Sequence, residues 1–289
     1  MTNDDSKNPE KSKLLEHPIK AGSSLSTLRH HRQSTVHPNL ILRTPIFTPV
    51  GRTSRAKGRV ADLSSAMREI TFARTEGYVD VKIFGSRLNI DTDFKIWTGI
   101  VRAFEQYGFQ PNGLEMSFSE FSRLCGYPSS AQSTVLKTRV DTSLTRIMSQ
   151  VITFSAGSKT HKTHLLQSAT YDIDANKIKL VPDERLWELY RIDHEILLSL
   201  DTQEALQRRE TAQCLYMFIH ALPKNPAPLA FSRIRSRLCL TGTEAEVNRS
   251  IVNGLAELEK IGYLDYALTP GGKGKDRCVI IKNRKRGKQ

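Results

Sequence analysis

The chain has 289 residues, with 43 Lys/Arg against 30 Asp/Glu and a formal net charge of +13. That length holds two domains of roughly 100 residues plus tails, each able to bury its own core. Its four cysteines (Cys125, Cys214, Cys239, Cys278) show no zinc-type spacing, and neither a secretory h-region nor a bilayer-length apolar run is visible, which predicts a reduced, soluble, cytoplasmic protein without a membrane partner.

Residues 1–59 carry 11 Lys/Arg against 4 Asp/Glu. They are rich in Ser, Thr, Asn and Pro and read as a flexible basic arm over 1–60. Inside it, the apolar island Leu40–Val50 is broken by Pro45 and Pro49. It is either an extended segment that docks on a partner or on the body, or a simple linker.

Order is expected from about Asp62. Tyr78–Phe84 alternates, Gly85-Ser86 follows, and Arg87–Ile90 completes a predicted hairpin. Asp91 or Asp93 is placed to cap a helix whose stripe is Phe94, Trp97, Val101, Phe104 and Gly108. Leu114–Phe118 reads as a short strand, and Ser117 or Ser119 caps a helix through Cys125. After the Gly126–Ser130 turn, a second helix runs from Gln132 to Gln150 on the stripe Leu136, Val140, Leu144 and Ile147. Val151–Phe154 and Leu165–Asp172 are predicted to pair around a polar tip at 157–162, followed by a strand at Lys177–Val181.

Residues 182–201 read as a linking helix. The order then repeats: a helix with Ala212, Leu215, Phe218, Ile219 and Leu222, a short strand at Leu229–Phe231, and a helix through Leu240. A longer helix, Glu244–Lys260, is opened by the capping box Thr243/Glu246. Tyr263–Leu268 and Cys278–Ile281 are strands around the tip Thr269–Asp276. Each unit carries Ser-Arg-Leu-Cys, at Ser122–Cys125 and Ser236–Cys239, at the end of the helix before the longest one. Helix, strand, helix, helix, hairpin is the winged-helix order. The fold class is therefore α+β and helix-rich, with two tandem winged helices at 61–181 and 202–281 and a basic tail at 282–289.

In a winged helix the helix after the short turn reads the major groove. In the first unit it presents Lys137, Thr138, Arg139 and Arg146, cations and hydroxyls suited to phosphate and base-edge contacts, with an ordinary solvated face as the alternative. In the second it presents Asn248, Arg249 and Asn253, behind an acidic start at Glu244 and Glu246. The preceding helix carries Arg233, Arg235 and Arg237. Alternate positions fan over roughly 200° on a helix, so two of the three are expected to face DNA. Lys273, Lys275 and Arg277 lie on the Gly-rich wing, and Lys282, Arg284, Lys285 and Arg286 on the tail, which also reads as a simple solubility tag.

Gly271–Lys275 is not a nucleotide loop, because Lys275 is followed by Asp276 and a strand rather than by Ser/Thr and a helix. His161 and His164 sit on a Lys/Thr-rich tip without carboxylate or cysteine companions, and His30-His31 lies in the arm. No catalytic constellation, metal site or cofactor site is recognisable.

The order of elements and several segments resemble the TrfA/RepA-type plasmid replication initiators. The segments are Ile96-Trp97, Met116–Phe118 with Leu124–Tyr127, Leu144–Ser155, Ile178–Asp183, Arg209–Phe218 and Leu238-Cys239. The resemblance implies two winged helices on successive major-groove faces of a direct repeat (iteron), with the first unit also used for self-association. It implies opening of an adjacent duplex and recruitment of a host initiator and replicative helicase, with no enzymatic activity. A winged-helix transcriptional regulator binding an operator is the competing reading, and a DNA-processing enzyme a third, against which the lack of metal and nucleotide motifs argues.

Overall fold

The computed structural model describes residues 21–23, 33–50 and 79–285, apart from 132, 157–158, 173, 185, 188–189, 191–194, 241 and 272–275. The expected start of order near Asp62 falls outside the described residues. Residues 34–50 do not form an arm. They fold as β1 (Ser34–Pro38), α1 (Asn39–Arg43) and β2 (Phe47–Thr48), and Ile41, Leu42, Ile46, Phe47 and Val50 are buried. The island is core because it is apolar, and it looks aperiodic because its partners are distant in sequence.

β3 (Val79–Phe84) and β4 (Leu88–Asn89) do not pair with each other as the expected hairpin. β4 runs parallel to β2, and β3 pairs antiparallel with β6 (Val151–Ala156). Between them in sequence come α2 (Asp93–Tyr107), β5 (Leu114–Ser117), α3 (Phe118–Leu124) and α4 (Thr134–Met148). The α2 stripe is buried as expected: Phe94, Trp97, Val101 and Phe104 are at most 3% exposed. Each such side chain contributes roughly 2–3 kcal/mol of burial. Gly99 on the same helix meets Cys125, whose Sγ would lie 2.2 Å from an added Cβ. The close approach of α2 and α3 therefore depends on that glycine.

β7 (Lys159–His164) returns along β6, giving a three-stranded sheet β3-β6-β7, while β8 (Ser168–Asp172) and β9 (Lys177–Val181) pair with β5 in the order β5-β9-β8. The expected pairing of 151–154 with 165–172 is thus replaced by an inserted hairpin. The wing of the first unit is β8–β9. The winged-helix order survives as α2, β5, α3, α4, β8, β9.

In the linking segment, the described residues 184, 186–187 and 190 are helical, and Glu195–Ser199 form β10. Trp187 packs on the first unit, its ring stacked on Trp97 (centroids 6.1 Å) and tilted against Phe104 (5.2 Å). β10 pairs antiparallel with β1, Ser34 opposite Ser199 through Pro38 opposite Glu195. After α5 (Leu200–Ala205), the second unit follows the expected order: α6 (Glu210–His220), β11 (Leu229–Ala230), α7 (Phe231–Leu238), α8 (Glu244–Lys260), β12 (Leu264–Leu268) and β13 (Cys278–Arg284). Its sheet is β11-β13-β12. β13 extends to Arg284, so the second unit is longer than 202–281 and the tail correspondingly shorter.

Hydrogen bonds fix the two units to each other and to residues 34–50. Glu210 at the start of α6 accepts from Asn89 Nδ2 (2.9 Å) and Val50 N (2.8 Å). Asp91 accepts from Arg208 N (3.0 Å) and Gln213 Nε2 (3.1 Å). Arg87 donates to the Cys239 carbonyl (2.5 Å) and Arg43 to that of Ala221 (2.6 and 3.0 Å).

Candidate nucleic-acid interface

The first reader, α4, is capped by Ser133, whose hydroxyl accepts from Leu136 N, and it buries Leu136, Val140, Leu144 and Ile147. Its outward face carries exposed Thr134, Thr138, Arg139 and Thr142. The helix is anchored from behind by Asp93, which is fully buried. Asp93 accepts from Ser143 Oγ (2.7 Å), Asn89 N (2.8 Å) and Arg146 Nε (2.9 Å), and Arg146 Nη2 makes a further bond to it. Arg146 was expected as a DNA reader; the structure instead commits its guanidinium to holding α4 on α2. A carboxylate buried without a cation would be costly, which explains the pairing.

The remaining residues of this unit divide by reach. The Lys137 ammonium lies 5.7 Å from the Phe118 ring centroid and 5.9 Å from that of Tyr171, between α3 and the wing. Thr138 donates its hydroxyl to Thr134 O (3.1 Å). Burial of Tyr127 pushes its pKa up to about 12, and the charge of Arg139 opposes that rise. Lys95, unremarked in the sequence, lies 4.4 Å above the same ring.

In the second unit the capping box forms as expected. Thr243 accepts from Glu246 N, while Glu246 accepts from the Thr243 N–H (2.8 Å) and hydroxyl (2.9 Å). These bonds hold the Glu246 carboxyl below the ordinary carboxylate range. The acidic start of α8 is therefore partly a cap. Glu244 has a different partner: its carboxylate pairs with Arg235 (3.0 Å), and Arg235 also donates to Asn248 Oδ1 (2.9 Å). Arg249 and Asn253 remain exposed on α8.

The three arginines of α7 meet three different fates. Arg233 is exposed and lies 5.7 Å from the Phe218 ring. Arg235 faces α8. Arg237 is 1% exposed and donates to Leu42 O (3.2 and 3.0 Å) and Phe47 O (3.1 Å), so it cannot reach DNA. At the base of the wing, Asp276 accepts from Ser232 N (2.8 Å) at the start of α7. The Arg277 guanidinium lies 5.5 Å from the Phe231 ring. Together Ser232, Arg235, Glu244, Asn248, Thr269 and Arg277 line an open cleft of about 950 Å³ between α7, α8 and the wing base.

Lys273, Lys275 and Arg286 lie outside the described residues. Lys282 and Lys285 are exposed on and after β13. Arg284, expected in a free tail, is buried. It donates to the carbonyls of Leu222 (2.6 Å), Ile219 and Pro223, closing the C-terminal end of α6. Ile219 lies in the last turn of α6 and Leu222 and Pro223 just beyond it, where a cation is favourable.

Two winged helices in one chain, each with a polar helix face flanked by cations, define a tandem winged-helix protein of the nucleic-acid-binding class. Residues 95–220 match the family described as Initiator Replication protein, WH1. The chain is 37% identical over 265 residues to the replication protein RepA of Escherichia coli, covering 91% of this chain and 92% of that protein. It is 39% identical over 268 residues to RepFIB replication protein A of Salmonella typhi, covering 90% and 82%. Among solved structures, the Pi initiator protein in complex with iteron DNA aligns at a TM-score of 0.48 and 9% identity, covering 88% of this chain and all of that one. Domains 2 and 3 of RctB align at 0.48 and 14%, covering 70% and 85%. The chain belongs to the RepA-type plasmid replication initiators.

Proposed function

We propose that this protein initiates replication of a plasmid by binding direct repeats at its origin, opening an adjacent stretch of duplex and drawing in the host initiator and replicative helicase. It does so in the bacterial cytoplasm without catalysis of its own: binding energy offsets a deformation of a few kcal/mol in the DNA. One observation carries this reading. The chain holds two complete winged helices docked on one another, so both readers engage one DNA as a fixed pair.

In the first unit the contacts are assigned to Lys137, Thr138 and Arg139. In the second, Arg249 and Asn253 face bases, with Asn248 oriented by Arg235. Arg233, Arg277, Lys273, Lys275, Lys282, Lys285 and Arg286 supply phosphate contacts. Self-association is assigned to the first unit. Footprinting of the full-length protein on plasmid DNA carrying its gene is the test. Protection of several directly repeated segments is the expected result. Protection of one palindrome alone would instead identify a transcriptional regulator.

A further inference from the structure

The first turn of α4 carries an apolar side chain for which the fold has no use. Val135 is 67% exposed, more than any other exposed large hydrophobic among the described residues. It stands beside a stripe (Leu136, Val140, Leu144, Ile147) that is buried. The threonines around it are arranged unusually. Thr138 donates to Thr134 O (3.1 Å), Thr142 to Thr138 O (2.7 Å) and Thr145 to Asp141 O (3.1 Å). A hydroxyl has a single hydrogen to give, and here each is given to the helix's own backbone. Outward, these side chains have a methyl group and an acceptor to offer, but no donor. Val135, Thr138 and Thr142 fall at i, i+3 and i+7, on one side of the helix.

A reader helix meets base edges with its N-terminal residues. Of the groups that base pairs present in the major groove, only the C5-methyl of thymine is apolar. With no donor of their own, these three side chains cannot hydrogen-bond guanine O6/N7 or thymine O4, both of which need one, and the donor on this side of the helix is Arg139 at i+4. We propose that Val135, Thr138 and Thr142 read thymine methyl groups, Val135 making the main contact and Arg139 beside them holding phosphate. The inference rests on the DNA-binding reading above and adds what the first unit recognises: thymine-containing steps, through their methyls.

The test starts from duplexes that the full-length protein selects from a random pool. Single thymines are then replaced by uracil, which deletes only the methyl. Burial of one methyl-sized group corresponds to about a fourfold change in affinity, and that loss is expected at thymines facing α4. Val135→Ala should bind the thymine duplex about fourfold more weakly and no longer distinguish uracil at one position. Thr138→Ser, which keeps the hydroxyl and removes the methyl, should do the same at a neighbouring position. Both sites are exposed, so the melting temperature checks that the fold is kept. Equal affinity for thymine and uracil duplexes would overturn the inference while leaving origin binding intact. So would Val135→Ala altering self-association but not DNA affinity. Failure to select any common sequence would overturn both the inference and the function it rests on.

Discussion

Arg123 and Arg237 occupy the same place in the two copies of Ser-Arg-Leu-Cys, yet Arg123 is exposed and Arg237 is buried. The Leu of each copy is core, as its apolar character dictates, and Cys125 is buried against Gly99. What separates the arginines is the chain laid against the second copy. Leu42 and Phe47 turn two carbonyls toward α7, and Arg237 satisfies both. No local pattern signals this, because the acceptors lie about 190 residues away in sequence. Arg284 and Arg146 differ from expectation for the same reason: in sequence a cation looks like surface when its buried partner lies far along the chain. Arg237→Ala should leave two buried acceptors unsatisfied and open a cavity, costing about 3 kcal/mol. Urea unfolding measures this, and an unchanged midpoint would show that residues 34–50 hold without it.

The helices were legible in the sequence because each carries its own period. The α4 stripe, the α6 stripe and the α8 capping box all stand where periodicity and capping chemistry put them. Strand pairing was less so. β3 and β4 look like one hairpin, but their partners are β6 and β2, and alternation alone does not say which strand an alternating strand meets. β1 shows the energetic consequence of such a non-local pairing. It carries His37 into the interior, 3.2 Å from Thr35 Oγ1 and 3.4 Å from the Tyr190 hydroxyl, and burial lowers the His37 pKa to about 3. Below pH 6.5 the unfolded chain takes up a proton here that the native state refuses. This group's contribution is therefore complete above about pH 6.5 and is lost as pH falls toward 3, at about 1.4 kcal/mol per unit. Between pH 6.5 and 5 the wild type should lose roughly 2 kcal/mol more stability than His37→Gln. Parallel pH dependences would contradict the burial of a neutral ring.

At the scale of the whole molecule, the positive charge lies at the ends of the chain while the body is nearly neutral. The candidate base readers, on α4 and α8, therefore lie in the part of the sequence that carries almost no net charge. The candidate readers were legible as helices, but which of their side chains remain available became clear only once Asp93, Glu244 and Phe47 were seen to occupy their neighbours. Among the described residues no helix is long and apolar enough to cross a membrane. The central claim is that two docked readers engage one DNA repeat. Missing-base interference, which removes one base of any kind at a time across a single repeat, tests it directly. Two clusters of interference about one helical turn apart are expected, and Arg249→Ala should erase one cluster while weakening specific binding by about 1–3 kcal/mol. A single cluster, or loss of both in that variant, would contradict the account.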